Sequence, residues 1–89
     1  MAIPEEEAYR RLAEAAKSLD ARLVVDRAWV HYRVQAYPGF EVGLNLGDAR
    51  TIFFVPEPDM DGNGWPERLR ERLAAALTYL RRFPQAPRE

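Results

Sequence analysis

Apolar residues recur at helical spacing near both ends of the chain and at every second position in between, and this change of period predicts the order of the elements. Tyr9, Leu12, Ala13, Ala16 and Leu19 form one stripe along a segment from about Pro4 to Leu19, the spacing of an amphipathic helix. Pro4 suits a first helical position, and Glu5, Glu6 and Glu7 follow where the helix dipole favours negative charge. A second stripe of Trp65, Leu69, Leu73, Ala76, Leu77 and Leu80 predicts a helix from Trp65 or Pro66 to Arg82.

Between the helices the period drops to two. Ala28, Val30, Tyr32, Val34 and Ala36 share one strand face, and Trp29, His31, Arg33, Gln35 and Tyr37 share the other. Leu23 and Val25 alternate in the opposite phase. A kink or split near Asp26 and Arg27 is therefore expected, to keep one face inward. For the next turn, a three-residue loop from Tyr37 to Gly39 keeps like with like. It pairs Ala36 with Phe40, Val34 with Val42 and Tyr32 with Leu44, and it puts Gly39 at the left-handed position of such loops. Phe40, Val42, Leu44 and Leu46 then face the core, and Gly47 and Asp48 begin the turn into a third strand from about Arg50 to Val55. That strand is apolar on both faces, so either Phe53 or Phe54 points away from the helices. Pro56 and Pro58 end it and discourage further pairing along its edge.

The expected fold is α+β: an α-β-β-β-α two-layer sandwich with a three-stranded antiparallel meander and two helices on one face. The order resembles that of the double-stranded RNA-binding domain. Arg68, Arg70 and Arg72 ahead of Ala74 and Ala75 are loosely similar to the basic start and alanine pair of that family's last helix. The family's glycine-proline-histidine loop is replaced here by Pro38-Gly39-Phe40, and Glu67 and Glu71 interleave with the arginines. The family is therefore not assigned.

At 89 residues the chain accommodates a single domain, 1–89, with 84–89 as a frayed tail, burying roughly two-thirds of its unfolded surface. A formal charge of −1 gives no global field toward nucleic acid or anionic membranes. Cysteine is absent, and one histidine, one serine and one lysine supply no catalytic set, so no enzyme and no cofactor are expected. The acidic start, without an apolar signal core, points to the cytoplasm, and no apolar run is long enough to span a membrane. Arginine outnumbers lysine twelve to one, a mix that suits a GC-rich genome or a thermophilic source.

Three features remain as candidates for chemistry. Asp59, Asp61, Asn63 and Gly64 match the first half of a calcium loop, with Glu67 at its ninth position, but the twelfth is Arg70 where a bidentate glutamate belongs. The other reading is a turn that launches the last helix, with Glu67 helping to cap it. Arg68, Arg70 and Arg72 could hold phosphates, or form an ion-paired solvated face. The outer sheet face carries Trp29, His31, Arg33, Glu41, Asn45 and one phenylalanine, provisionally Phe53. Three uses fit it: stacking single-stranded nucleic acid, a protein interface or homodimer contact, or cover by another part of the chain. The leading expectation is a small non-enzymatic module that binds a protein partner or itself through that face. A nucleic-acid module using Trp29, Arg33 and the helix arginines is the alternative, and the calcium loop the second alternative.

Overall fold

The structure, a computed structural model, describes residues 3–34 and 38–82. Helix α1 spans Glu5–Leu19, strands β1, β2 and β3 span Leu23–Arg33, Gly39–Leu46 and Ala49–Pro56, a 3-10 turn spans Glu57–Met60, and helix α2 spans Trp65–Arg82. The strands form one antiparallel sheet in the order β1-β2-β3. The helices pack on the sheet and on each other, α1 against β1 and α2 against β2 and β3. This is the expected α+β sandwich.

One buried cluster joins the two layers. Leu12 and the close-packing Ala8, Ala15 and Ala16 come from α1, and Leu69, Leu73, Leu77 and Leu80 from α2. Beneath them lie Leu23, Val25, Val30, Phe40, Val42, Leu44 and Val55 of the sheet. The α1 stripe is turned slightly from the expected one, because α1 also faces α2 and only alanine-sized residues fit between them. Ala8 and Ala15 are buried, whereas Tyr9 and Leu19 are partly covered.

β1 solves its phase problem with an irregularity rather than a break. Val25 pairs with Leu44 and Val30 with Val42, so residues 26–29 stand opposite Gly43 alone. The odd number of extra residues changes the parity of the strand, and Val25 and Val30 both point inward.

The expected register between β1 and β2 is corrected. Val42 meets Val30 rather than Val34, and Phe40 meets Tyr32 rather than Ala36, because Arg33 already pairs with Gly39 and the loop is longer than three residues. An even displacement leaves Val30, Tyr32, Phe40, Val42 and Leu44 on the expected inward face, whereas Ala28, in the irregular stretch, and Val34, beyond the last pair, are exposed. Gly39 does not take the left-handed conformation; only Gly47 and Gly62 have positive φ among the described residues. Gly39 is a strand residue, and the Pro38 carbonyl before it accepts the Glu57 N–H at 3.1 Å. The rest of the proposed turn, residues 35–37, lies outside the described residues, as does the proposed frayed tail.

The turn from β2 to β3 takes two residues, Gly47 and Asp48, with Leu46 opposite Ala49. Gly47 has φ of +61°, the conformation that the first position of a II′ hairpin turn demands.

The far ends of the helices are tied through Asp20. Its carboxylate accepts the Arg22 backbone N–H at 2.9 Å and the Arg81 guanidinium at 2.8 Å. These bonds hold the carboxyl below its ordinary pKa, and the Arg10 and Arg11 guanidiniums do the same for Glu7. Both groups prefer the charged form when folded. Their contribution is present above the unfolded carboxyl range and lost as pH falls through the lower folded values. Tyr32 has the opposite sign: burial and its hydrogen bond to Glu57 raise its phenol, so stability falls as pH climbs past about 10. The melting temperature is expected to be level near neutrality, fall below about pH 4, and fall again above about pH 10. Asp20→Asn should shrink the acid limb and Tyr32→Phe the alkaline one. Limbs unchanged in both variants would refute these assignments.

Candidate interaction face of the sheet

Side chains on the sheet face away from the helices come from alternate positions of all three strands. β1 contributes Val24, Trp29, His31 and Arg33; β2 contributes Glu41, Gly43 and Asn45; β3 contributes Arg50, Ile52 and Phe54. No described element packs on this face. Val24 and Ile52 are exposed, 55% and 43% respectively.

Phe53 is not part of it. It stands opposite Val42 and packs against the core, and Phe54, opposite Glu41, is the outward phenylalanine. The two-residue turn decides this. With Leu46 opposite Ala49, counting along the hairpin puts Phe53 inside. A II′ reading of Gly47-Asp48 would have placed Phe54, Ile52 and Arg50 outside from the sequence alone.

The centre of the face is organised around Trp29. The irregular stretch of β1 carries Trp29 over Gly43, where an added Cβ would lie 3.0 Å from the Trp29 Cβ and 2.8 Å from Arg50 Nη2. The Trp29 and His31 rings meet edge to face, 5.3 Å apart, and the Arg50 guanidinium lies 5.9 Å from the indole centroid. Arg50 is held in turn by Asp26 at 3.0 Å and by the Asn45 side-chain oxygen at 3.0 Å. Arg33 pairs with Glu41 at 3.2 Å. The face is therefore a preformed aromatic surface whose cations are each matched by an acid of the same face.

The arginines of α2 are matched in the same way. Arg72 Nε donates to Asp59 at 2.5 Å, Arg68 lies 4.0 Å from the same carboxylate and donates to the Asp61 carbonyl, and Arg70 is 3.6 Å from Glu67. These pairs sit on the far side of the molecule from Trp29, so the structure does not gather Arg33 and the helix arginines into one basic surface.

The Asp59–Glu67 stretch is a strand-to-helix connection. Asp59 lies in the 3-10 turn, the Asp61 carboxylate accepts the Gly62 N–H at 3.0 Å, and Gly62 has φ of +84°. The carboxylate at the loop's first position faces arginines, and no group of three metal-binding side chains occurs among the described residues. Trp65 packs against the core with the Arg11 guanidinium 5.1 Å from its ring centroid, which anchors the start of α2.

One groove of about 620 Å³ lies on the helix side, between α2 and the outer edge of β3. Thr51, Phe53 and Phe54 line it from the strand, Asp59 from the 3-10 turn, and Arg68, Glu71, Arg72, Ala75, Ala76 and Tyr79 from the helix. No helix among the described residues is long and apolar enough to cross a membrane. No family model matches the chain, and neither a curated protein nor a solved structure matches it, so the functional reading rests on these side chains and their geometry.

Proposed function

We propose that this chain is a small non-enzymatic interaction module that binds a protein partner through the outer face of its sheet. One observation carries the reading: Trp29, His31 and Ile52 form an aromatic and aliphatic surface on which no described element packs, and its arginines are paired with acids in place. Tryptophan and arginine held rigidly at the centre of a patch are the usual anchors of protein interfaces, since little side-chain freedom is lost on binding. Nucleic acid is the weaker fit, because phosphate binding needs cations free to release counterions, and Arg33, Arg50, Arg68, Arg70 and Arg72 each have an acidic neighbour.

The test is affinity capture from the source cell with the wild type, Trp29→Phe and Trp29→Ala, with and without nuclease. A specific protein is expected on the wild type and Trp29→Phe, reduced roughly tenfold or more on Trp29→Ala and indifferent to nuclease. The Trp29 indole N–H is buried with no acceptor among the described residues, so Trp29→Phe should fold as well as the wild type. Capture that ignores Trp29→Ala, or a nucleic-acid complex whose affinity falls steeply with salt, would sink the reading.

A further inference from the structure

The charges on the outer face of the sheet follow an order of their own. Side chains lie in rows across the strands: His31 and Glu41 form one row, Trp29, Gly43 and Ile52 the middle row, and Val24, Asn45 and Arg50 the next. Along β1, Arg33 stands at one end of the face and Asp26 toward the other. On β2 and β3 the signs are reversed, with Glu41 at the Arg33 end, 3.2 Å from that guanidinium, and Arg50 at the Asp26 end, 3.0 Å from that carboxylate. A half-turn about the middle row, which lays a second such face on the first, brings Arg33 toward Asp26 and Glu41 toward Arg50. Every charge meets its opposite.

We infer that the partner of this face is a second copy of this chain, packed sheet against sheet about a twofold axis that runs across the strands at Gly43. The inference rests on the outer-face reading above and names its partner. In this arrangement β1 lies over β1 of the second copy in reversed direction. Arg33 then faces Asp26 of the second copy, and Glu41 faces Asn45 and Arg50 of the second copy. Each contact occurs twice, as a closed twofold interface requires. The other twofold, running along the central strand, is ruled out by β2 itself. It would set Glu41 against Glu41 of the second copy, and opposed like charges are costly.

The relief of the face fits the same axis. Gly43 has no side chain, and Trp29 and Arg50 both lie across it. The middle row therefore offers the Trp29 indole and Ile52, which meet their own counterparts at the axis, where sheets packed about 10 Å apart need interlocking apolar groups. Ile52 and Val24, both exposed in the single chain, are covered, Ile52 by its counterpart and Val24 by the His31 ring of the second copy. Arg50 reaches from β3 across β2 to Asp26, so its guanidinium lies beneath Glu41 of the second copy. A net charge of −1 leaves little long-range repulsion between two copies. An unrelated partner has no need of a face whose signs reverse under a half-turn. A face that binds itself does.

Sedimentation should give a particle of about twice 10.3 kDa for the wild type and a monomer for Trp29→Ala. Glu41→Arg and Arg50→Glu should each weaken self-association by about a hundredfold or more, because each opposes like charges across the axis. Mixed in equal amounts, these two variants should recover a dimer, since every altered charge then faces its opposite. Mixing cannot restore the ion pairs lost within each chain, so the recovery reports the interface alone. Dilution of the wild type, which needs no variant, should shift the NMR signals of the Gly43 amide and the Trp29 indole and leave that of the Leu73 amide in place. A wild-type monomer at millimolar concentration, signals indifferent to dilution, or a mixture of folded variants that stays monomeric would overturn the inference. Capture of a different protein through Trp29 by a monomeric chain would overturn the dimer and leave the outer-face reading standing, whereas a dimer and a capture both indifferent to Trp29→Ala would sink the two together.

Discussion

Phe40→Ala is expected to lower the unfolding free energy by about 3–5 kcal/mol, the range for emptying the site of a buried aromatic. Phe40 is fully buried, its ring meets Tyr32 edge to face at 5.2 Å, and it lies on the central strand where both helices converge. The effect should be near the top of that range, because β2 is held on both sides and cannot collapse into the space. For a domain of this size the loss is a large share of a total of about 5–15 kcal/mol. Urea titration is the measurement: the midpoint should drop with the slope unchanged. A loss below about 1 kcal/mol would mean that the core is not closed around Phe40.

Gly39→Ala is the second large effect, expected at about 1–3 kcal/mol by overpacking. A Cβ at this position would lie 2.6 Å from the Val55 carbonyl oxygen and 2.8 Å from Phe54 Cε1. The ring could swing away, but the carbonyl belongs to the adjacent strand and could yield only if the β2–β3 ladder shifted. The substitution therefore acts on the interaction face too, since moving Phe54 disturbs the surface around Trp29. The experiment distinguishes two explanations of the glycine. If Gly39 held a left-handed turn, Gly39→Asn would be better tolerated than Gly39→Ala, because asparagine adopts that conformation more readily. The strand position predicts the reverse, since asparagine adds bulk where even a methyl does not fit. Gly39→Ala combined with Phe54→Ala should recover part of the loss and not all of it, because the Val55 carbonyl remains. Full tolerance of Gly39→Ala would show that the ring does not pack there.

The effects of these substitutions trace back to what can be read along the chain and what cannot. Helix α2 was legible nearly to the residue: the stripe from Trp65 to Leu80 fits one helical face, and every expected position on it is buried or partly buried. The inward set Phe40, Val42 and Leu44 was legible for a similar reason, since alternation settles which face a strand residue occupies without reference to any partner. That β1 had to change phase near Asp26 was legible from the conflict between Leu23, Val25 and Val30.

Which residue lies opposite which was not legible. Sliding β1 by an even number of residues leaves its hydrophobic face unchanged, so the pattern accepts Val34 and Val30 equally as partners of Val42. The choice belongs to the three-dimensional arrangement: residues 26–29 stand against Gly43 alone, Glu5 reaches the Tyr32 N–H from another element, and Phe54 occupies the space above Gly39. The position of Phe53 went astray for the same reason, because a strand apolar on both faces carries no alternation, and only pairing across the Gly47-Asp48 turn assigns its sides.

The acid-base pattern followed the same division. The arginines of α2 and the aspartates before it were visible in the sequence, but not that Asp59 lies beside Arg68 and Arg72 and Asp20 beside Arg81, because ion pairs distant in sequence form only when the helices dock. By itself the sequence determined the elements, their order and the inward faces of β2 and α2, since those follow from local period. The tertiary structure alone decided the strand register and the matching of charges, because both depend on contacts between separate segments of the chain.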